Sequence, residues 1–331
     1  MKVAAIVMLA AVGCGSILVL AREPAAVNGR TAAGPAQLAS TTAGVVRIDP
    51  ATNRVVGRIP LPGANTVATG LGSVWATGTV ANKRAVVRIS PVTTKVLAKV
   101  ALEPFRVVVA ADLAVGAGAV WVLGGEAVYR LDGASGELTR IPIQDANAAR
   151  PAIAAGDEGV WVSNPGKGAV ERIHPPARPG ERTIPFGRFA GGLSLAGGSI
   201  WVTSDREGLL TRIDPARNRV TRIYQVAGAS GSAAVGADAV WVVDSATGKL
   251  AKVDPDSGRV TAVDIGHRAT WVSTGHGAIW VVHGGDGMVS RVDPVTLRVT
   301  ATIPVGARPY ALAVDEAAVW VTVLGPVGHS H

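Results

Sequence analysis

In 331 residues there is one cysteine, Cys14, and it lies within the first apolar stretch. No internal disulfide can form, and the chemical interest of this residue is confined to lipidation. Aromatic residues are scarce at 4%, yet they are unevenly chosen, with eight tryptophans against three phenylalanines and three tyrosines. Charged residues reach only 17%, and acids are the minority, 24 against 32 Lys and Arg, for a net charge of +8. Glycine (41) and proline (20) are plentiful beside 48% apolar residues. Such a composition describes short strands and many turns in a chain large enough for a substantial core.

The tryptophans reveal the plan. Trp75, Trp121, Trp161, Trp201, Trp241, Trp280 and Trp320 are spaced 46, 40, 40, 40, 39 and 40 residues apart, in phrases such as "GAVWVLG" and "GSIWVTS". A second phrase, typified by "VVRIDPATNRVVGRI" and "VSRVDPVTLRVTATI", also occurs seven times, and its first copy, residues 45 to 59, precedes every tryptophan phrase. Each unit reads as four strands: an "LAVG" run, the "VWV" run, and an alternating pair joined by an Asp-Pro turn. In that turn Asp accepts from the backbone two residues on, Pro presets φ, and Asn tolerates the left-handed conformation. Asp49, Asp214, Asp254 and Asp293 are therefore turn residues. Four antiparallel strands repeating near 40 residues make a β-propeller blade, so the fold is all-β, a seven-bladed propeller forming one domain. The last unit ends at its tryptophan strand, and the spare N-terminal hairpin must complete it and close the ring, leaving no sheet edge at the seam.

The phrase "AVWV...VSRVDPVTLRVTATIPVGARPYALAV" resembles the YVTN and streptogramin-lyase-like (virginiamycin B lyase-like) seven-bladed propellers of bacteria, over nearly all of residues 43 to 323. The propeller is expected over 43–325, with a disordered tail at 326–331. Ahead of it, "MKVAAIVMLAAVGCGSILVLA" (1–21) fits an export signal or membrane anchor, and the Ala/Pro/Gly-rich segment 22–42 reads as a tether. Three outcomes stay open for Cys14 and its surroundings: a lipoprotein, a cleaved secretory signal, or an uncleaved anchor. All three place the propeller outside the cytoplasmic membrane.

The excess of basic residues is distributed by the repeat. Arg47, Arg88, Arg130, Arg172, Arg212, Lys252 and Arg291 share one position, and Arg54, Lys95, Arg219, Arg259 and Arg298 another, both on the outer hairpins. A girdle of solvated outer strands is the expectation, with no stripe matched to a phosphate backbone and no nucleic-acid partner. The seven repeat tryptophans are expected to fill the wedges between blades. Trp271 differs: it stands at the inner-strand position held elsewhere by Thr66, Asp112, Ala152, Gly192, Ser232 and Ala311, where its ring either plugs the channel or floors a pocket.

Strand order puts the outer-to-inner crossings and the loops after "VWV" on one loop-rich face. Arginines lie in five of those crossings, Arg106, Arg150, Arg188, Arg268 and Arg308. With Trp271 and Asp244 they form the candidate ligand site, suited to an anionic small molecule, an envelope polymer or a protein. The alternative role for each arginine is to bond loop carbonyls and nearby acids. His267, His283 and Asp286 share that face, whereas His276 lies on the other.

In the streptogramin lyases the resemblance implies His and Glu residues with a magnesium ion, the acid falling three residues after a repeated tryptophan. Here that position holds Gly78, Gly124, Asn164, Ser204, Asp244, His283 and Val323, with no glutamate among them. His283, Asp286 and His267 are the nearest catalytic candidates, and no catalytic or metal-ligating residue is assigned. The expectation is an exported, monomeric, non-catalytic binding module of the cell envelope without a cofactor, attached to the membrane, if at all, through its N-terminus. A magnesium-dependent lyase is the alternative. On cell fractionation the full-length chain is expected with membranes or outside the cytoplasm, and a soluble cytosolic pool would overturn export.

Overall fold

The structure, a computed structural model, describes residues 42–102, 110–124, 127–143, 151–165, 167–173, 183–186, 190–204, 207–228, 231–266 and 268–325. The leader and the tether up to residue 41, the tail 326–331, Arg106, Arg150, Arg188 and His267 lie outside the described residues. Among the described residues there is no helix, and therefore none long and apolar enough to cross a membrane.

The Asp-Pro hairpins form as their side chains dictate. Asp293 Oδ1 accepts the N–H of Val295 at 2.9 Å and of Thr296 at 2.7 Å, and Leu297 follows in the left-handed region at φ 58°. Asp49, Asp214 and Asp254 accept equivalent N–H groups, and so does Asp132, where the proline is replaced by Gly133. Backbone donors, chiefly Ala51 for Asp49 and Ser257 for Asp254, hold these carboxyls below the usual range, and for Asp214 the Arg217 guanidinium is the first cause.

Seven four-stranded antiparallel sheets result. Blade 1 runs outward through Val67–Gly70, Ser73–Val80, Lys83–Ile89 and Val96–Ala101, and blade 6 through Ala269–Gly275, Ala278–His283, Met288–Val292 and Val299–Pro304. The inner strands of blades 2 to 5 are Ala110–Gly116, Ile153–Gly156, Ala190–Ala196 and Ala233–Gly236. Blade 7 joins both ends of the propeller. Pro309–Val314 and Val319–Val323 are its inner half, and Gly44–Asp49 pairs with Val319–Val323, Val46 opposite Val321, before turning into Arg54–Pro60. Each inner strand touches the next, blade 7 reaching blade 1, so the ring is closed as its repeat requires.

The tryptophans bury their rings where one blade meets the next. Trp75 packs with Val120, Val122 and Leu131 of blade 2, and Trp320 packs with Val74 and Val87 of blade 1. Opposite every tryptophan on the third strand stands the first basic residue of the outer hairpin: Arg88 faces Trp75 and Arg291 faces Trp280. In six blades its cation lies 5.3–5.6 Å from the indole centroid.

This corrects the expected girdle. The first set of basic residues is half-buried, and several members reach the Asp turn of the following blade. Arg291 donates to the Pro50 carbonyl at 3.0 Å and to Asn53 Oδ1 at 3.1 Å, Lys252 to the Pro294 carbonyl at 2.9 Å, and Arg88 to the Gly133 carbonyl at 3.2 Å. The second set, Arg54, Lys95, Arg219, Arg259 and Arg298, is exposed as expected.

A second ring of links runs near the axis. Two residues after the tryptophan, Thr77, Ser163, Thr203 and Thr322 accept the N–H of Thr66, Ala152, Gly192 and Ala311 at 2.7–3.1 Å. Thr203 and Thr322 also donate to the next blade, to the carbonyls of Gly231 and Asn65, both at 2.8 Å. Blades 2 and 5 carry Leu123 and Val243 at that position, and there the inner strand supplies the link. Asp112 Oδ2 accepts the Ile153 N–H at 3.0 Å, and Ser232 Oγ accepts the Val272 N–H at 2.7 Å. Desolvation pushes the Asp112 carboxyl up to about 6, against the pull of its two backbone donors, Ile153 and Leu113.

Arg291→Ala should cost about 2 kcal/mol, because it removes a cation–π contact and two interblade hydrogen bonds. Arg298→Ala should stay within about 0.5 kcal/mol. Denaturant unfolding of both variants checks this, and equal costs would refute the assignment. The carboxylates give opposite pH signs. The turn aspartates, depressed in the fold, contribute stability that is complete above the ordinary carboxylate range, about pH 4, and is lost as pH falls. Asp112, raised in the fold, carries a cost that is complete above about pH 6 and is relieved as pH falls toward about 4. Thermal melts should therefore show a component rising between pH 7 and 5 that Asp112→Asn abolishes, while the acid limb below pH 4 persists.

Candidate functional site

Seven inner strands converge on an axis they cannot fill, because their axial positions are small in most blades. The space they leave is a cavity of about 790 Å³ lined mainly by blades 2 to 6. At one level of its wall stand Asp112, Ala152, Gly192, Ser232 and Trp271. In a ring of seven, blades 2 and 6 are separated by three blades one way and two the other, so Asp112 and Trp271 belong to opposite sides of the axis. The Trp271 indole lies 6.5 Å from the Tyr310 ring at an interplanar angle of 41°, and both rings line the cavity. Trp271 thus walls the channel without filling it. The contact also spans blades 6 and 7, where blade 6 has Val282 in place of a linking hydroxyl.

Arg268 and Arg308 are exposed in the crossings, both in left-handed conformations, φ 57° and 56°. The Arg268 carbonyl accepts the Gly284 N–H at 3.0 Å, and its side chain lies so close over Gly285 that a Cβ there would meet Arg268 Cδ at 2.1 Å. The Arg308 carbonyl accepts the Leu324 N–H at 3.1 Å. Neither arginine is in the cavity wall. Asp244 is buried within its own turn, where Oδ1 accepts the N–H of Ala246 and Thr247 at 2.9 and 3.1 Å and Oδ2 accepts the Thr247 hydroxyl. Its neighbour Ser245 reaches the cavity.

His283 is buried, with Nε2 2.9 Å from Ser290 Oγ. The same two positions in blade 3 hold another polar pair, Asn164 donating to Glu171 at 3.1 Å with Lys167 beside it at 3.0 Å. His283 thus occupies a position that blade 3 also uses for pairing within the sheet. Asp286 is exposed, and its N–H bonds the His283 carbonyl at 3.2 Å. His276 meets the Asp315 carbonyl at 2.9 Å in the turns of the opposite face. Among the described residues no group of three or more His, Cys, Asp or Glu side chains could hold a metal ion. His283, buried against Ser290, and Asp286, outside in solvent, do not make the donor set that a magnesium site would need, so no catalytic step follows from these two residues.

Of the candidate ligand residues only Trp271 is in the wall, and the wall residues outside that set include Asp112 and Tyr310. Asp112 was legible as the one acid in the column that contains Trp271. Tyr310, the residue before Ala311 of that column, carried no signal beyond its scarcity.

No protein-family model matches the chain, and a search of curated proteins found no match. Among solved structures, a streptogramin B lyase is similar with a TM-score of 0.66 and 13% identity, covering 84% of this chain and 96% of that one. Virginiamycin B lyase from Staphylococcus aureus gives a TM-score of 0.65 at 16% identity, covering 79% and 95%. BamB from Moraxella catarrhalis gives 0.54 at 13%, covering 87% and 94%. At such identities the likeness is one of fold, and many functions share this architecture. The chain is a seven-bladed β-propeller with the fold seen in the streptogramin B and virginiamycin B lyases.

Proposed function

We propose that the chain is an exported, non-catalytic binding module of the bacterial cell envelope that takes its ligand into the central channel from the loop-rich face. The observation that carries this reading is the cavity itself. It is preformed, about 790 Å³, and walled by aliphatic residues, two aromatic rings and a few hydroxyls, which is the usual make-up of a small-molecule site. The side chains best suited to catalysis on that face argue the same way, since His283 is bonded within its sheet and Asp244 within its turn. Export rests on the apolar segment after Lys2 and on the absence of cysteine beyond it. Arg268 and Arg308, exposed on the rim, are placed to meet an anionic polymer or protein partner outside the channel.

The test is a screen of fluorine-labelled aromatic and aliphatic fragments by NMR against the full chain. Bound fragments should lose affinity at least roughly fivefold in Trp271→Ala, the scale of an aromatic contact. The thermal midpoint of the variant should fall by only a few degrees. Hits indifferent to Trp271, or no hits at all, would remove the channel as the binding site.

A further inference from the structure

The chain carries a net charge of +8, and its basic residues line the outer hairpins and the crossings. The described channel wall has the opposite character. It contains no Lys, Arg or His and a single carboxylate, Asp112. No described cation lies against that carboxylate: its hydrogen bonds come from two backbone groups, Leu113 N–H to Oδ1 at 2.8 Å and Ile153 N–H to Oδ2 at 3.0 Å. An ionised carboxylate has about four acceptor positions, so roughly half of its capacity is not taken up by these two bonds, and the residue stands in the cavity wall.

The bond to Ile153 does not require the charge. In blade 5 the same interblade link is made by the neutral hydroxyl of Ser232, at 2.7 Å to Val272 N. Elsewhere threonine hydroxyls do the corresponding work. Serine in blade 2 would bridge to blade 3 without burying an anion. The negative charge of Asp112 is therefore surplus to the architecture, and its desolvation is unfavourable to the fold unless something compensates it. On the other side of the axis, the Trp271 and Tyr310 rings present the π-surface that attracts alkylated ammonium groups.

We propose that the ligand of the channel presents a cationic head with an apolar body, an alkylammonium or similar amine, its charge to Asp112 and its carbon groups to Trp271 and Tyr310. This rests on the reading of the channel as the binding site, and it gives that site a ligand sign opposite to the one the arginines of the crossings suggest. The strands beside Asp112, Val67–Gly70, Ser73–Val80, Ala119–Gly124 and Ile153–Gly156, bring no titratable side chain. Tyr310 is the only other titratable residue in the described wall. Protonation of Asp112 is thus the titration that should govern the preference for a cation near neutral pH.

Three probes with one hydrocarbon body test this by calorimetry or ligand-observed NMR on the full chain: choline, the neutral 3,3-dimethylbutanol and the anionic 3,3-dimethylbutyrate. At pH 7.5 choline should bind roughly tenfold more tightly than the alcohol, and the carboxylate least of all. In Asp112→Asn the preference of choline over the alcohol should vanish, with a thermal melt showing that the variant is folded. Trp271→Ala should weaken both. Independently of any variant, the wild-type preference should shrink as pH falls from 7.5 to 5, while the affinity for the alcohol stays level. Equal affinities for choline and the alcohol in the wild type, or a preference that survives Asp112→Asn, would overturn the cationic ligand and leave the channel site standing. If none of the three probes binds and no fragment depends on Trp271, both readings fall.

Discussion

The structure depends on a cation held between an indole face and the turn of the neighbouring blade. A four-stranded blade is too small to bury its own apolar faces, so it is stable only against its neighbours. Tryptophan fills the wedge, but a ring alone fixes neither the angle nor the register of the next sheet. The basic residue opposite it does both. Its charge lies on the ring, and in blades 1, 5 and 6 its N–H groups reach carbonyls at the aspartate turn of the next blade. A rim that looks on paper like a band of surface charge is a row of staples.

The axis obeys a different constraint. Inner strands must approach closely, which favours small residues, and in five of the seven blades a glycine five positions before the tryptophan marks that approach. At Gly275 a Cβ would fall 2.4 Å from Val314 Cγ1 of the next blade, and its carbonyl accepts the Trp280 indole N–H at 3.0 Å. Close approach on one face of each strand and small side chains toward the axis together leave a channel. The links around that channel are chemically interchangeable: threonine, serine and aspartate each bridge one blade to the next. Interchangeability at one position makes a departure from it informative.

Legibility in the sequence follows the same division. The blade count, the order of strands and the closure at the seam could be read because they rest on period and turn chemistry, both local in sequence. The wedge position of the tryptophans could be read for the same reason. Burial of Arg291 could not, because the residues that cover it, Pro50 and Asn53, are some 240 positions away and belong to the blade that closes the ring. The place of Arg268 was lost for a related reason. A crossing names the face, but the side-chain direction depends on the loop after the tryptophan strand, where Gly284 and Gly285 leave room for it. His283 looked available because spacing shows no partner, and its partner, Ser290, is across the sheet.

Asp112 brings these two lines together. Its column was visible in the sequence as a set of small residues with one tryptophan and one acid, and the tryptophan drew attention because it is large. In three dimensions the acid is the more telling departure. A bulky ring at the axis satisfies itself by packing on Tyr310, and it closes the one interblade contact in which blade 6 lacks a linking hydroxyl. A carboxylate has no such local remedy, because backbone donors satisfy part of its hydrogen bonding and none of its charge. Placed in a channel whose described wall is otherwise uncharged, within a chain of net positive charge, it gives that wall a sign opposite to the sign of the chain as a whole.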